Sequence, residues 1–129
     1  MKNNGGLRGR MASFKDAFAG IRTFLQEEVN GQIHFVSGII AVILGLILQI
    51  SKSDWLWVAS AITLVITMEL VNSAIERLVD LVQPDFNKSA GKVKDIAAAA
   101  VLVSAIYALF VGLVIFIPPL LKLNWGFVD

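Results

Sequence analysis

Three stretches of this 129-residue chain contain no formally charged side chain when His34 is neutral: 29–51, 55–68 and 96–121. Nothing constrains the fold more. A run of about 20 uncharged, mostly apolar residues is what a helix needs to cross a bilayer, and the first and third runs are long enough alone. The middle run covers only about 21 Å at 1.5 Å per residue, so its helix has to continue past Glu69 to reach the far side. Glu69 then lies inside the hydrocarbon or at its edge, and Asp80 at the surface. With 57% hydrophobic residues the composition also exceeds that of an ordinary soluble domain. The expected architecture is all-α and integral to the membrane. It is one membrane domain over 1–129, with an N-terminal segment at 1–28 and spans near 32–50, 55–82 and 95–119.

The distribution of charge orients it. Lys2, Arg8, Arg10, Lys15 and Arg22 precede the first span, and Arg77, Lys88, Lys92 and Lys94 lie at or between the second and third, whereas only Lys52 and Lys122 fall on the other side. Basic residues stay on the cytoplasmic side, which puts the N-terminus and the loop 82–94 there. Trp55, Trp57 and Trp125 then sit at the outer boundary, where interfacial anchors belong. There is no cysteine, so disulfides and thiolate metal sites are excluded. The first 28 residues lack the charged-then-apolar pattern of a cleavable leader. From Met11 the apolar residues Met11, Phe14, Phe18, Ile21 and Leu25 recur every three or four positions, which predicts an amphipathic helix over 11–27. It is suited to the membrane surface or to packing on its own protein. Asn30-Gly31 predicts a break before the first span, Ser53 or Asp54 a cap on the second helix, Lys88 to Asp95 a polar loop, and Pro118-Pro119 the end of the third span. His34 is expected to be a hydrogen-bonded packing residue, and Gly38 and Gly45 share one helix face.

The second helix carries the informative polar residues. At 100° per residue Glu76 falls about 20° from Glu69 around the axis, Asp80 about 20° to the other side, and Asn72 and Ser73 within roughly 60°. Ionisable side chains at bilayer depth are rare and point to function, although a polar seam between helices would have the same spacing. A chain this small cannot bury such a stripe alone, so self-association is expected. Glu76 and Glu28 are hard oxygen ligands near the surface, and two carboxylates with phosphate oxygens are what Mg²⁺ takes. Lys94, beside Lys92, suits neutralisation of a polyphosphate. Glu69, about 10 Å deeper along the axis, is placed to act as a base on a lipid hydroxyl. A proton relay or an ion-conducting stripe would look alike. Neither a GxxxxGK[ST] loop nor a GxGxxG is present.

The run Glu69-x-x-Asn72-Ser73-Ala74-Ile75-Glu76-x-x-x-Asp80, followed by Lys94-Asp95 and a small-residue helix start, resembles the signature of the prokaryotic diacylglycerol kinases. The resemblance extends over Gly20-Ile21-Arg22, Glu28, Ile33-His34 and the three-span layout. It implies a homotrimeric kinase of the bacterial inner membrane that moves the γ-phosphate of ATP onto a lipid alcohol, with Mg²⁺ as cofactor and no nucleic-acid partner. By that resemblance Glu69 is the base, and Glu28 and Glu76 hold the metal with the nucleotide. Asn72, Lys94 and Asp95 belong to the active site, and Arg10, Asp85, Phe86 and Asn87 contact ATP. Asp16 stands where relatives have an aromatic, and Asn87 where they have a histidine. His34 resembles the branch that includes undecaprenol kinases and tilts the expected acceptor from diacylglycerol towards a polyprenol. A non-catalytic scaffold and a small transporter or channel are the alternatives.

Overall fold

The computed structural model describes residues 7–125, which form four helices: α1 (Leu7–Glu27), α2 (Val29–Ile47), α3 (Lys52–Val82) and α4 (Lys88–Trp125). The side chains of Arg8 and Trp125, like Lys2, lie outside what is described. By length and composition, α2, α3 and residues 88–122 of α4 are each able to cross a membrane. The α1 helix begins four residues earlier than the apolar repeat predicts.

The junctions explain where the helices begin and end, and several differ from expectation. Between α1 and α2 a single residue, Glu28, is extended (φ −105°, ψ 105°). Its N–H still donates to the Phe24 carbonyl (3.0 Å) and its own carbonyl accepts from Gln32 (3.0 Å), so the chain bends with both backbone groups of Glu28 satisfied. Asn30 and Gly31 are therefore not the break; they lie in the first turn of α2. Gly31 has a different use. The Phe24 ring sits against it so closely that a Cβ would overlap the ring, and Phe24 is buried as a result. The Gln32 amide donates to the Leu25 carbonyl at the end of α1 (3.0 Å).

The turn between α2 and α3 closes with Gln49 in the left-handed region (φ 50°). Ile50 N–H donates to Gly45 (3.2 Å) and Gln49 N–H to Leu46 (3.4 Å), the paired bonds of a Schellman end with Gln49 where glycine is usual. The cap of α3 is Ser51, not Ser53 or Asp54. Its hydroxyl accepts from Asp54 N–H (3.1 Å) while its N–H donates to the Asp54 carboxylate (3.2 Å), a capping box that uses Asp54 at the third position.

At the inner end, Pro84 ends α3 as expected, but the polar segment from Lys88 to Asp95 is helical. Asn87 Oδ1 accepts from the N–H groups of Ser89 (2.8 Å) and Ala90 (3.2 Å), which starts α4 at Lys88, well before the apolar run that begins at Ile96. Nor do Pro118 and Pro119 stop α4, which passes through both to Trp125. Proline removes two N–H donors, but its φ is helical, and such residues are tolerated in membrane helices.

Packing follows from spacing. α3 packs mainly on α4 and secondarily on α2. Its buried residues are Val58, Ala61, Val65, Glu69 and Ser73, one face every three or four positions, apolar at the outer end and polar at the inner. α2 meets it with Gly38 and Gly45, a heptad apart and both buried, while Gly31, a heptad earlier, receives Phe24 of α1. An added Cβ at Gly38 would come 3.2 Å from Ile62, and at Gly45 2.8 Å from the Trp55 ring, so the missing side chains set the helix separation. α4 contributes Ala97, Ser104 and Val111, also at heptad spacing. The Ser60 and Tyr107 hydroxyls meet at 3.2 Å across α3 and α4. Large apolar side chains along the outward faces of α2 and α4 remain exposed, among them Phe35, Ile39, Leu102 and Phe110. Bilayer or another polypeptide has to cover them.

Candidate active site

The inner ends of α2 and α3 and the Glu28 corner converge on the polar half of the α3 stripe. Glu69 is its deepest member, 5% exposed, and among the described residues its one polar contact is Nε2 of His34 on α2, 3.2 Å from Oε1. Burying a carboxylate without a partner is strongly unfavourable, so this contact is central to keeping it there. His34 does make a polar contact, as the sequence suggests, but its partner is the expected base.

One turn nearer the surface, Ser73 is buried and donates to Oε1 of Glu28 (2.8 Å). Arg77, a turn beyond, donates to the same oxygen through Nη2 (2.9 Å), reaches Oε2 of Glu27 through Nη1 (2.9 Å) and lies 3.4 Å from the Ser73 hydroxyl through Nε. The Ser73 hydroxyl, and after it Arg77, hold the Glu28 carboxyl below its ordinary value of 4.5. Ser73 and Arg77 thus tie the α1–α2 corner to α3, roles the sequence reading did not give them. Their spacing by four beside an i, i+4 stripe was the available signal.

On the neighbouring line, the Asn72 amide donates to Oε1 of Glu76 (3.0 Å), and Asn72 Oδ1 is buried without a partner among the described residues. Lys94 Nζ pairs with Asp80 Oδ1 at 2.5 Å, joining α4 to the exposed end of the stripe. Within one chain Glu69, Asn72 and Glu76 lie on α3, Ser73 and Arg77 of the same helix hold Glu28, and Lys94 pairs with Asp80 at the rim. No hydrogen bond or ion pair among the described residues joins the side chains of Arg10, Asp85, Phe86 or Asp95 to this cluster. Phe86 is 99% exposed, and the Asn87 side chain caps α4.

The donor set can be tested against a divalent cation. Among the described residues no three His, Cys, Asp or Glu side chains converge as a complete metal site. Glu76 and the unpartnered carbonyl oxygen of Asn72 are hard oxygen donors side by side, and both bonds to Glu28 use Oε1, leaving Oε2. That partial set fits Mg²⁺, which keeps several waters and takes one or two carboxylates together with phosphate oxygens. Below it, an apolar cavity of about 380 Å³ lies among α2, α3 and α4. His34 lines its inner end and Leu44 and Phe116 its outer part, a reach of about 15 Å along α2.

Comparison with known proteins agrees with this layout. A sequence model described as "Prokaryotic diacylglycerol kinase" matches residues 15–116. The undecaprenol kinase of Bacillus subtilis (strain 168) is 35% identical over 108 residues, 84% of this chain and 88% of that protein. The diacylglycerol kinase of Synechocystis sp. is 35% identical over 114 residues, 88% of this chain and 65% of that protein. The diacylglycerol kinase of Escherichia coli (strain K12) is 29% identical over 92 residues, 71% and 75% of the two chains.

Proposed function

Because the chain belongs to the prokaryotic diacylglycerol kinase family and is a membrane-embedded lipid kinase, we propose that it transfers the γ-phosphate of ATP to the hydroxyl of undecaprenol or diacylglycerol. The observation that carries this reading is the buried Glu69, in contact with the His34 that lines an apolar cavity, on the same helix as the partial oxygen set of Glu76 and Asn72. A carboxylate at that depth faces the acceptor, and the oxygens nearer the surface face the donor. The partnerless Asn72 oxygen is unexplained by a seam that only glues helices.

In the reaction the acceptor oxygen bonds to the γ-phosphorus while the bond from that phosphorus to the β,γ-bridging oxygen breaks. The electron pair leaves with ADP, and the hydroxyl proton passes to the Glu69 carboxylate. Glu28 and Glu76, with Asn72, would hold Mg²⁺, which supplies neutralisation of phosphate charge when bound. Lys94, released from Asp80 or shared with it, adds positive charge at the rim. Serine and arginine at positions 73 and 77 keep Glu28 in place. The acceptor chain occupies the apolar cavity. We place undecaprenol first as acceptor, supported by His34, the residue that resembles the undecaprenol kinase branch.

The enzyme works as a homotrimer at the cytoplasmic face of the bacterial inner membrane, with its N-terminus in the cytoplasm and α1 on the membrane surface. The exposed Met11, Phe14 and Phe18 on α1 support the last point. That no hydrogen bond or ion pair among the described residues joins Arg10, Asp85, Phe86, Asn87 or Asp95 to the carboxylates within one chain supports completion of the nucleotide site by a neighbouring copy. The test is ADP release by purified protein in mixed micelles. Release should require both Mg²⁺ and a lipid alcohol. Release independent of either, or ion flux in liposomes without ATP, would overturn the reading.

A further inference from the structure

We propose that His34 is a positioning residue for the phosphoryl transfer, holding one oxygen of Glu69 so that the other is presented to the acceptor hydroxyl. The inference rests on Glu69 being the base. Three observations carry it. Glu69 is almost completely buried, and its one polar contact among the described residues is the His34 ring nitrogen at 3.2 Å. An ionised carboxylate only accepts, so the proton between them belongs to Nε2 whether the ring carries one proton or two. His34 also lines the inner end of the apolar cavity, together with Gly38 and Val65.

The same side chain therefore touches the base and borders the space suited to the acceptor chain. A carboxylate on a helix has two rotatable bonds beyond Cβ, and burial alone does not fix how its two oxygens are oriented. Contact of Oε1 with α2 sets that orientation and leaves Oε2 for the hydroxyl. Such orientation matters because small misplacements of a reacting group lower the rate steeply.

The test compares His34→Gln, His34→Asn, His34→Leu and Glu69→Gln in mixed micelles containing undecaprenol, with ATP and Mg²⁺. Glutamine can set its amide nitrogen near the position of Nε2, whereas asparagine is shorter and stops near the other ring nitrogen. His34→Asn and His34→Leu should lower kcat about 10- to 100-fold, with KM for ATP nearly unchanged. His34→Gln should recover most of that loss. The Gln/Asn pair keeps the comparison decisive if the leucine variant does not fold. Equal kcat for the Gln and Asn variants, or an unimpaired His34→Leu with Glu69→Gln inactive, overturns the role of His34 and leaves Glu69 as base. Normal turnover by Glu69→Gln overturns the base assignment, and this inference with it.

Discussion

Ser73→Ala tests how the Glu28 corner is held. The hydroxyl gives Glu28 Oε1 a 2.8 Å bond from a buried position, and Arg77 gives the same oxygen a second at 2.9 Å. A hydrogen bond to a charged group contributes about 1.5–3 kcal/mol. The Glu28 side chain is 29% exposed, so water replaces part of what is lost, and the low end, about 1.5 kcal/mol, applies. This is about tenfold in the equilibrium between docked and undocked corner.

The acid dependence of that equilibrium has a definite sign. Ser73 and Arg77 lower the docked-state pKa of Glu28 below 4.5. Its contribution is therefore fully present above the undocked value and disappears as pH falls through the lower, docked value. Removing the hydroxyl moves the docked value up, so acid undocking should begin at higher pH in the variant. The chain has no cysteine, so spin labels at Arg22→Cys on α1 and Leu81→Cys on α3 can report the distance without background. A broader or longer α1–α3 distance in Ser73→Ala, with its acid transition displaced upwards, is expected. An unchanged distribution and an unchanged transition would refute the argument that Ser73 anchors Glu28.

Other perturbations separate structure from chemistry. Gln49→Gly relieves a non-glycine residue at φ 50° and should stabilise the detergent-solubilised protein by about 1 kcal/mol, read from thermal unfolding. Gly31→Val must displace the Phe24 ring, so it should lower thermal stability and disturb the adjacent Glu28 corner. Asn87→Ala removes the α4 cap and should cost about 1 kcal/mol in thermal unfolding; unchanged stability would refute the capping role. Glu76→Gln should raise the Mg²⁺ concentration giving half-maximal activity, and an unchanged Mg²⁺ dependence would remove Glu76 from the metal set.

The spans and the carboxylate stripe were legible because charge is expensive in a bilayer and helical periodicity is rigid. Glu69, Asn72 and Glu76 could be placed together from spacing alone. The helix boundaries were harder. Lys88 to Asp95 reads as polar loop until Asn87 is seen to satisfy two N–H groups, and Pro118-Pro119 reads as a stop until the helix is seen to accommodate both rings. Gly31 looked like a break because glycine ends helices in water, whereas here it receives an aromatic ring. Contacts between helices, such as His34 with Glu69 and Ser73 with Glu28, depend on rotation of one helix against another. Local sequence does not encode that angle directly; the heptad glycines of α2 were its visible trace.

The most direct measurement is transfer of labelled γ-phosphate to lipid alcohol in a single turnover by wild type and Glu69→Gln, with nucleotide binding measured on the same samples. The account predicts labelled lipid from wild type only, with Mg²⁺·ATP bound comparably by both. Labelled lipid formed at the wild-type rate by Glu69→Gln would contradict it.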